Sequence, residues 1–370
     1  MSNKITISID VMGGENAPNA LIEAVEIFLK NHADAKVLIY GKKSQIISKI
    51  TSLTFFEERY KLVNCDDVIL DEIKPVDAWR ISKNSSMRKT IEAVKNQEAQ
   101  AAVSSGNTGA LMLFSKMILG TLNEIKRPAI AAVFPSIDNS HRGTVILDMG
   151  ANLECNEINL SHFAVMGSSF AKAVLKIPEP RIGILNVGAE SSKGRNLELK
   201  TYNLLKNSGL NFYGFVEGHD VIRGVVDVLV TDGFSGNVFL KASEGAARVF
   251  LDILNKSITQ GTVLSRLAGY ILKDSIREPI KMIDPNKNNG AMLMGLKGIV
   301  VKSHGSAETI GIYNAITTAY NLAKDSINTK ISEGLDRFDG SGEKLGFVNK
   351  LKQASVKVFS TKKKNKDEVL

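Results

Sequence analysis

Residues 225–237, VVDVLVTDGFSGN, pass from an apolar run into a loop of aspartate, glycine, serine and asparagine. A run this rich in valine and leucine suits a strand covered on both faces, as strands of a parallel sheet are. The loop carries Asp232, Gly233, Ser235, Gly236 and Asn237, and a helical pattern over about 238–258 follows directly. Strand, polar glycine loop and helix form the repeating unit of an α/β sheet, so recurrence of the unit decides the fold.

The unit recurs along the chain. Lys4–Asp10 leads into Asp10, Gly13 and Gly14. Ala101–Ser104 leads into Ser104, Ser105, Gly106, Asn107 and Thr108, with a helix over 108–119. Thr144–Leu147 gives way to Asp148, Gly150 and Asn152, and Ile182–Asn186 to Gly188, Lys193 and Gly194. Ile299–Lys302 ends before His304, Gly305 and Ser306. Further strands are expected at Val37–Tyr40, Ile130–Phe134 and Phe212–Phe215, with helices at about 19–30, 86–97, 161–175, 196–207 and 309–331. The expected fold is α/β, a three-layer α/β/α arrangement with a largely parallel sheet. Ligands of such sheets bind beyond the carboxyl ends of the strands, which places all six loops on one rim.

Glycine lets backbone N–H groups approach an anion, and a helix starting after the loop adds its positive dipole end. Ser104–Thr108 and Asp232–Asn237 both precede helices and are candidate phosphate cradles. One such loop alone is equally a turn with a helix cap; six together point to a site. No GxGxxG follows the first strand, and GxxxxGK[ST], HExxH and GxSxG do not occur, so the usual nucleotide, zinc and hydrolase signatures are missing. Of the five histidines, His219 and His304 lie in glycine-flanked loops.

The 370 residues are 44% hydrophobic and 23% charged, as in globular proteins. They are expected to form one α/β body over 1–334, with a helical pair at about 238–282 as a projecting element, and a basic extension over 335–370. From Ser341 onward eight lysines face three acids, which is +5 of the chain's +8. The basic character therefore belongs to the tail, and no nucleic-acid partner is expected. Cys65 and Cys155 stand far apart with no second thiol near either, which fits a reducing compartment and no disulfide framework. The opening residues show no basic segment followed by a long apolar stretch, so a cytoplasmic protein with at most peripheral membrane contact is expected. Two apolar helical stripes are candidates for that contact. One carries Val263, Leu264, Leu267, Tyr270 and Ile271; the other carries Phe347, Leu351, Ala354 and Val358.

The strings IDVMGGENAP, SSGNTGALM, ILDMGAN, NVGAESSKG, GFVEGHD, DVLVTDGFSGNVFLK and GAMLMGLKGIVVKSHGSA resemble the PlsX family of phosphate acyltransferases. They span residues 9 to about 307 in the family's order. The resemblance implies transfer of a fatty acyl group from acyl-ACP to inorganic phosphate, giving acyl phosphate for phospholipid synthesis. It further implies a homodimer, a fold similar to isocitrate and isopropylmalate dehydrogenases and phosphotransacetylases, and contact with the inner face of the membrane and a downstream glycerol-3-phosphate acyltransferase. The chain departs from the family at Asn289 and Met292, where a glycine and a proline are usual.

Phosphate attack on a thioester needs two anionic partners held together and an oxyanion stabilised. On that chemistry Lys193, Asn237, His304 and Asn107 are the candidate catalytic residues. Lys193 would neutralise phosphate, Asn107, Asn152 or Asn237 would donate to the oxyanion, and His304 would protonate the departing sulfur or orient phosphate. Asp10, Gly13, Gly14, Ser104, Gly106, Thr108, Asp148, Asn152, Asp232, Gly233, Ser235 and Gly236 form the expected phosphate and substrate shell. The aspartates are expected to orient these groups, with no metal and no cofactor. Arg248, Arg266, Lys273, Arg277 and Lys281 are candidates for the landing surface of the acidic carrier protein. The alternatives are a CoA-dependent acyltransferase of the phosphotransacetylase type and a non-enzymatic membrane-associated scaffold.

Overall fold

The computed structural model of the chain describes residues 4–123, 125–136, 143–260, 262 and 289–340. Its strands are β1 (Ile5–Asp10), β2 (Ala35–Gly41), β3 (Tyr60–Asn64), β4 (Ala101–Ser104), β5 (Ala129–Phe134), β6 (Thr144–Leu147), β7 (Ile182–Leu185), β8 (Phe212–Val216), β9 (Val228–Val230), β10 (Ala291–Met294) and β11 (Ile299–Lys302). All belong to one sheet in the order β3-β2-β1-β4-β11-β10-β5-β6-β9-β7-β8.

Alternation along each strand feeds two cores. Ile7, Ile9, Val103, Val145, Leu147 and Val301 face the helices Asn19–Asn31, Glu157–Phe170 and Thr309–Lys324. Ala102, Ile146, Leu229 and Val300 face the opposite way, toward Met87, Ile91, Leu111 and Phe114 of the helices Ser86–Lys95 and Thr108–Leu119. Both faces are therefore dry, which is why the strands read as continuous apolar runs. Each fully buried isoleucine or leucine contributes about 2 kcal/mol relative to exposure. The fold class is the α/β arrangement with a mostly parallel sheet that the sequence predicts.

The strands that carry the six loops do not all run one way, as the rim of a wholly parallel sheet would require. β10 pairs antiparallel with β11 and with β5, and β5 pairs antiparallel with β6. Three reversals in succession leave β1, β4 and β11 running one way and β6, β9 and β7 the other. The registers nevertheless bring their carboxyl ends to nearly one level: Leu147 pairs with Ala131, Ala131 with Met292 and Met292 with Val301, so the ends of β6 and β11 face each other across β5 and β10. β10 escapes notice in the sequence because four residues, AMLM, show no strand-length alternation.

Smaller differences have local causes. The 309–331 pattern is two helices, Thr309–Lys324 and Ile327–Gly340, broken where Ser326 takes φ 51°. The second of these continues past residue 334, and Leu335 packs against the core, so the expected boundary at 334/335 falls inside a helix. The helix expected from 238 begins at Gly233 and extends to Thr259. Of the projecting helical pair, the part from 263 to 282 lies outside the described residues, as do both apolar stripes and the tail beyond Gly340.

Candidate active site

Two loop clusters form, and the long Gly233–Thr259 helix connects them. The first gathers the ends of β1, β4 and β11. Asp10 pairs in register with Ser104, and Ser104 with Lys302, so three polar residues make one row across three parallel strands. Ser104 Oγ donates to Asp10 Oδ2 at 2.8 Å, and the Gly106 amide donates to Ser104 Oγ at 3.1 Å. The Met12 amide donates to Asp10 Oδ1 at 3.1 Å. Burial raises the pKa of Asp10, against these hydrogen bonds, which favour the carboxylate.

Glycine is required where these turns meet. A Cβ on Gly13 would stand 2.5 Å from the Gly106 nitrogen, and Gly14, at φ +93°, lies against Ser105 and Gly305. The Glu15 amide donates to the Gly305 carbonyl at 2.8 Å, and Ser303 N to the Ser104 carbonyl at 3.0 Å. Thr108 opens the Thr108–Leu119 helix. Asn107 caps it through Oδ1, which accepts from Ala110 N at 2.9 Å. The Asn107 amide hydrogens go to the Asp71 carbonyl at 2.6 Å and the Ile73 carbonyl at 3.3 Å, so its two donors are already engaged.

His304 completes this cluster. Its backbone N–H donates to Asn289 Oδ1 at 3.0 Å, Nδ1 lies 3.0 Å from Ser306 Oγ, and Nε2 lies 3.3 Å from Lys241 Nζ. Burial first, then the neighbouring Lys241 charge, lower its pKa. The ring is therefore neutral at neutral pH. Asn289 bridges the His304 amide and Ser303 Oγ and so fixes the turn that carries the ring.

The second cluster gathers the ends of β6 and β9. Asp148 is fully buried, and its oxygens accept from the amides of Ile130, Gly150, Ala151 and Asn152 and from Asn152 Nδ2, at 2.7 to 3.3 Å. Asn152 Nδ2 also donates to the Pro128 carbonyl at 2.7 Å. Gly233 and Gly236 bring the long helix onto this turn: a Cβ on Gly236 would stand 2.0 Å from the Asp148 carbonyl oxygen. Asp232 accepts from Ser235 N at 2.7 Å and from Ser235 Oγ at 3.1 Å, and it pairs with Arg195. The helix N-terminus here is thus occupied by the protein's own carboxylate, whereas the Thr108–Leu119 helix is capped by a neutral amide.

Lys193 is exposed on the loop after β7, which Asn186 closes by donating to the Gly188 and Lys193 carbonyls at 3.1 and 3.0 Å. Arg195, two residues on, reaches Asp232 and Ser235, so this loop abuts the second cluster. Asn237 is exposed, with its side chain against Gly150, and its amide has no protein partner among the described residues.

Asn237 and Lys241 are four residues apart on one helix face, about 6 Å along its axis. One touches the second cluster and the other His304 of the first. Glu244 and Arg248 continue the same stripe. Lys241, Glu244, Asn289 and Lys302 escape sequence reasoning because they sit in helix and strand interiors or beside loops, without a motif. Among the described residues, no group of three or more His, Cys, Asp or Glu side chains is placed to hold a metal ion. A separate cavity of about 410 Å³, lined by Lys172, Lys176 and Lys330 among others, opens at the start of β7 and β8 and includes none of the candidate residues.

The α/β fold is shared with solved phosphotransacetylases. A phosphotransacetylase from Streptococcus pyogenes superposes with TM-score 0.56 at 16% identity, covering 91% of this chain and 95% of its own. The EutD phosphotransacetylase from Staphylococcus aureus gives 0.53 at 14%, covering 88% and 94%. At such identities the likeness concerns the fold alone. Sequence narrows it: the family model described as fatty acid synthesis protein matches residues 5–330. Phosphate acyltransferases from Ehrlichia canis (42% identical, 88% of this chain and 98% of theirs) and Rhodospirillum rubrum (40%, 90% and 95%) match nearly end to end. The chain belongs to this phosphate acyltransferase family.

Proposed function

We propose that the protein transfers a fatty acyl group from acyl-ACP to inorganic phosphate. A phosphate oxygen attacks the thioester carbonyl, the tetrahedral intermediate collapses with loss of the C–S bond, and the carrier thiolate leaves and takes a proton. Thiols ionise near a pKa of about 8.5, so departure demands no strong acid. The reading is carried by the face of the long helix on which Asn237 and Lys241 reach both loop clusters. It offers a free amide and a cation beside glycine turns, which is what two anionic reactants and an oxyanion require.

In this reading phosphate occupies the end formed by Gly13, Gly14, Ser104, Gly106 and Thr108, where the helix start is not filled by an acid. Asn237 donates to the oxyanion, since the side-chain amides of Asn107 and Asn152 are engaged. His304, held neutral, orients phosphate and does not serve as the proton donor. Lys193 neutralises the transferred group from the opposite loop. Asp10, Asp148 and Asp232 hold turns in shape, with Gly233, Ser235 and Gly236 seating the helix on them.

Acyl phosphate measured by mass spectrometry from long-chain acyl-ACP and inorganic phosphate tests the reaction. Its absence under single-turnover conditions sinks the proposal, and turnover of acetyl-CoA alone would favour the CoA-dependent alternative. Homodimer formation and peripheral membrane contact belong to the same reading. Exposed Phe234, Val238, Val249 and Ile253 form an apolar stripe along the long helix, and no described helix is long and apolar enough to cross a membrane. Vesicle flotation with and without residues 341–370 tests the tail: equal binding removes it from the interaction.

A further inference from the structure

Lys302 ends β11 and is nine-tenths buried, yet it makes no ion pair among the described residues. Its ammonium donates to two neutral acceptors, the Ser105 carbonyl at 3.0 Å and the Ser303 carbonyl. A buried cation bonded only to carbonyls is costly unless a counter-charge offsets it. Within the same turn, Ser105 is 2% exposed and its Oγ has no hydrogen-bond partner, a second group left wanting a ligand oxygen.

We propose that Lys302 is the positioning residue of the phosphate end. It ties the Ser104–Gly106 turn to the Ser303–Gly305 turn and sets a buried positive charge beneath Ser105, whose hydroxyl is left for a phosphate oxygen. The inference rests on the reading of this end as the phosphate site.

Charged groups approach Lys302 from each side. Asp10 on β1 and Asp71 before the Pro75–Ile81 helix favour its charge, whereas Lys241 on the long helix opposes it; His304 lies two residues on. Burial outweighs the acids and lowers the Lys302 pKa to about 8. Inorganic phosphate is mostly dianionic at that pH and becomes more so above it, so its own titration would lower the KM of a dianion substrate rather than raise it. A rise in phosphate KM through this range therefore reports the protein.

The test is phosphate KM for the full chain at saturating acyl-ACP between pH 7.5 and 9.5. KM is expected to rise about tenfold with kcat nearly unchanged, as the lysine loses its charge. Lys302→Met should show the raised KM already at pH 7.5, with no further pH dependence. A merely structural lysine would not move KM along this profile. A flat wild-type KM, or a folded Lys302→Met with wild-type KM, overturns the inference. Should Lys302→Met not fold, the wild-type profile together with a raised KM in Ser105→Ala decides it. Should the wild type form no acyl phosphate at any pH, the proposed reaction fails instead. Calorimetric titration of inorganic phosphate at pH 7.5 and 9.5 then judges Lys302 independently, with affinity expected only at the lower pH.

Discussion

Gly236 shows how little room the site leaves. Its added Cβ would stand 2.0 Å from a backbone oxygen of Asp148, and backbone cannot step aside as a side chain can. Gly236→Ala should therefore cost about 3 kcal/mol by overpacking, seen as a lower midpoint in urea unfolding with an unchanged slope. Asp148 is a second such point, since removing its carboxylate strands five donors, three of them buried. Lys193 belongs to a different class: it is exposed, so its replacement should leave stability alone. Lys193→Met is expected to raise phosphate KM at least tenfold with thermal unfolding unaltered; an unchanged KM takes the residue out of the site. Glycines and aspartates at strand ends were legible because turn chemistry restricts those positions to few residue types. Lys302 was not, because a lysine ending an apolar run looks the same whether it turns out to solvent or folds inward.

At the level of elements, the long helix matters most. Its polar stripe, Asn237, Lys241, Glu244 and Arg248, faces the loops, and its apolar stripe lies about a quarter-turn away. The coupling of Lys241 to His304 makes a direct prediction. Removing the ammonium in Lys241→Ala should move the His304 pKa upward, toward its ordinary value, because a like charge no longer opposes protonation. NMR titration of the ring measures this, and an unmoved pKa would remove Lys241 from the causes of its shift. The sequence places this helix but not its partner across the sheet, since periodicity reports which face is apolar and is silent on what covers it.

The whole molecule carries a pH signature made of two opposing contributions. Lys302 has a lowered pKa in the folded state, so above pH 8 the unfolded chain holds its proton more firmly at this residue and its contribution to stability rises with pH. From about pH 8 upward a contribution of the opposite sign enters. Cys65 and Cys155, pushed up to about 12 by burial, keep their protons while the unfolded thiols lose theirs. Between pH 8 and 9 the two effects nearly cancel in the wild type, so over that interval urea unfolding should show Lys302→Met losing about 1 kcal/mol relative to the wild type. A parallel response in both proteins would assign the titration elsewhere.

By itself the sequence determined the kind of elements, their order and the loops rich in glycine and polar residues. These follow from local rules: the period of apolar residues, the steric freedom of glycine and the capping of helix starts. Only the tertiary structure decided how strands separated by scores of residues pair. Three antiparallel pairings around β5 and β10 reverse the strands yet bring both sets of loops to one level of the sheet, where the long helix spans them at Asn237 and Lys241. Strand direction depends on which distant segments share hydrogen bonds, and no local pattern encodes that choice.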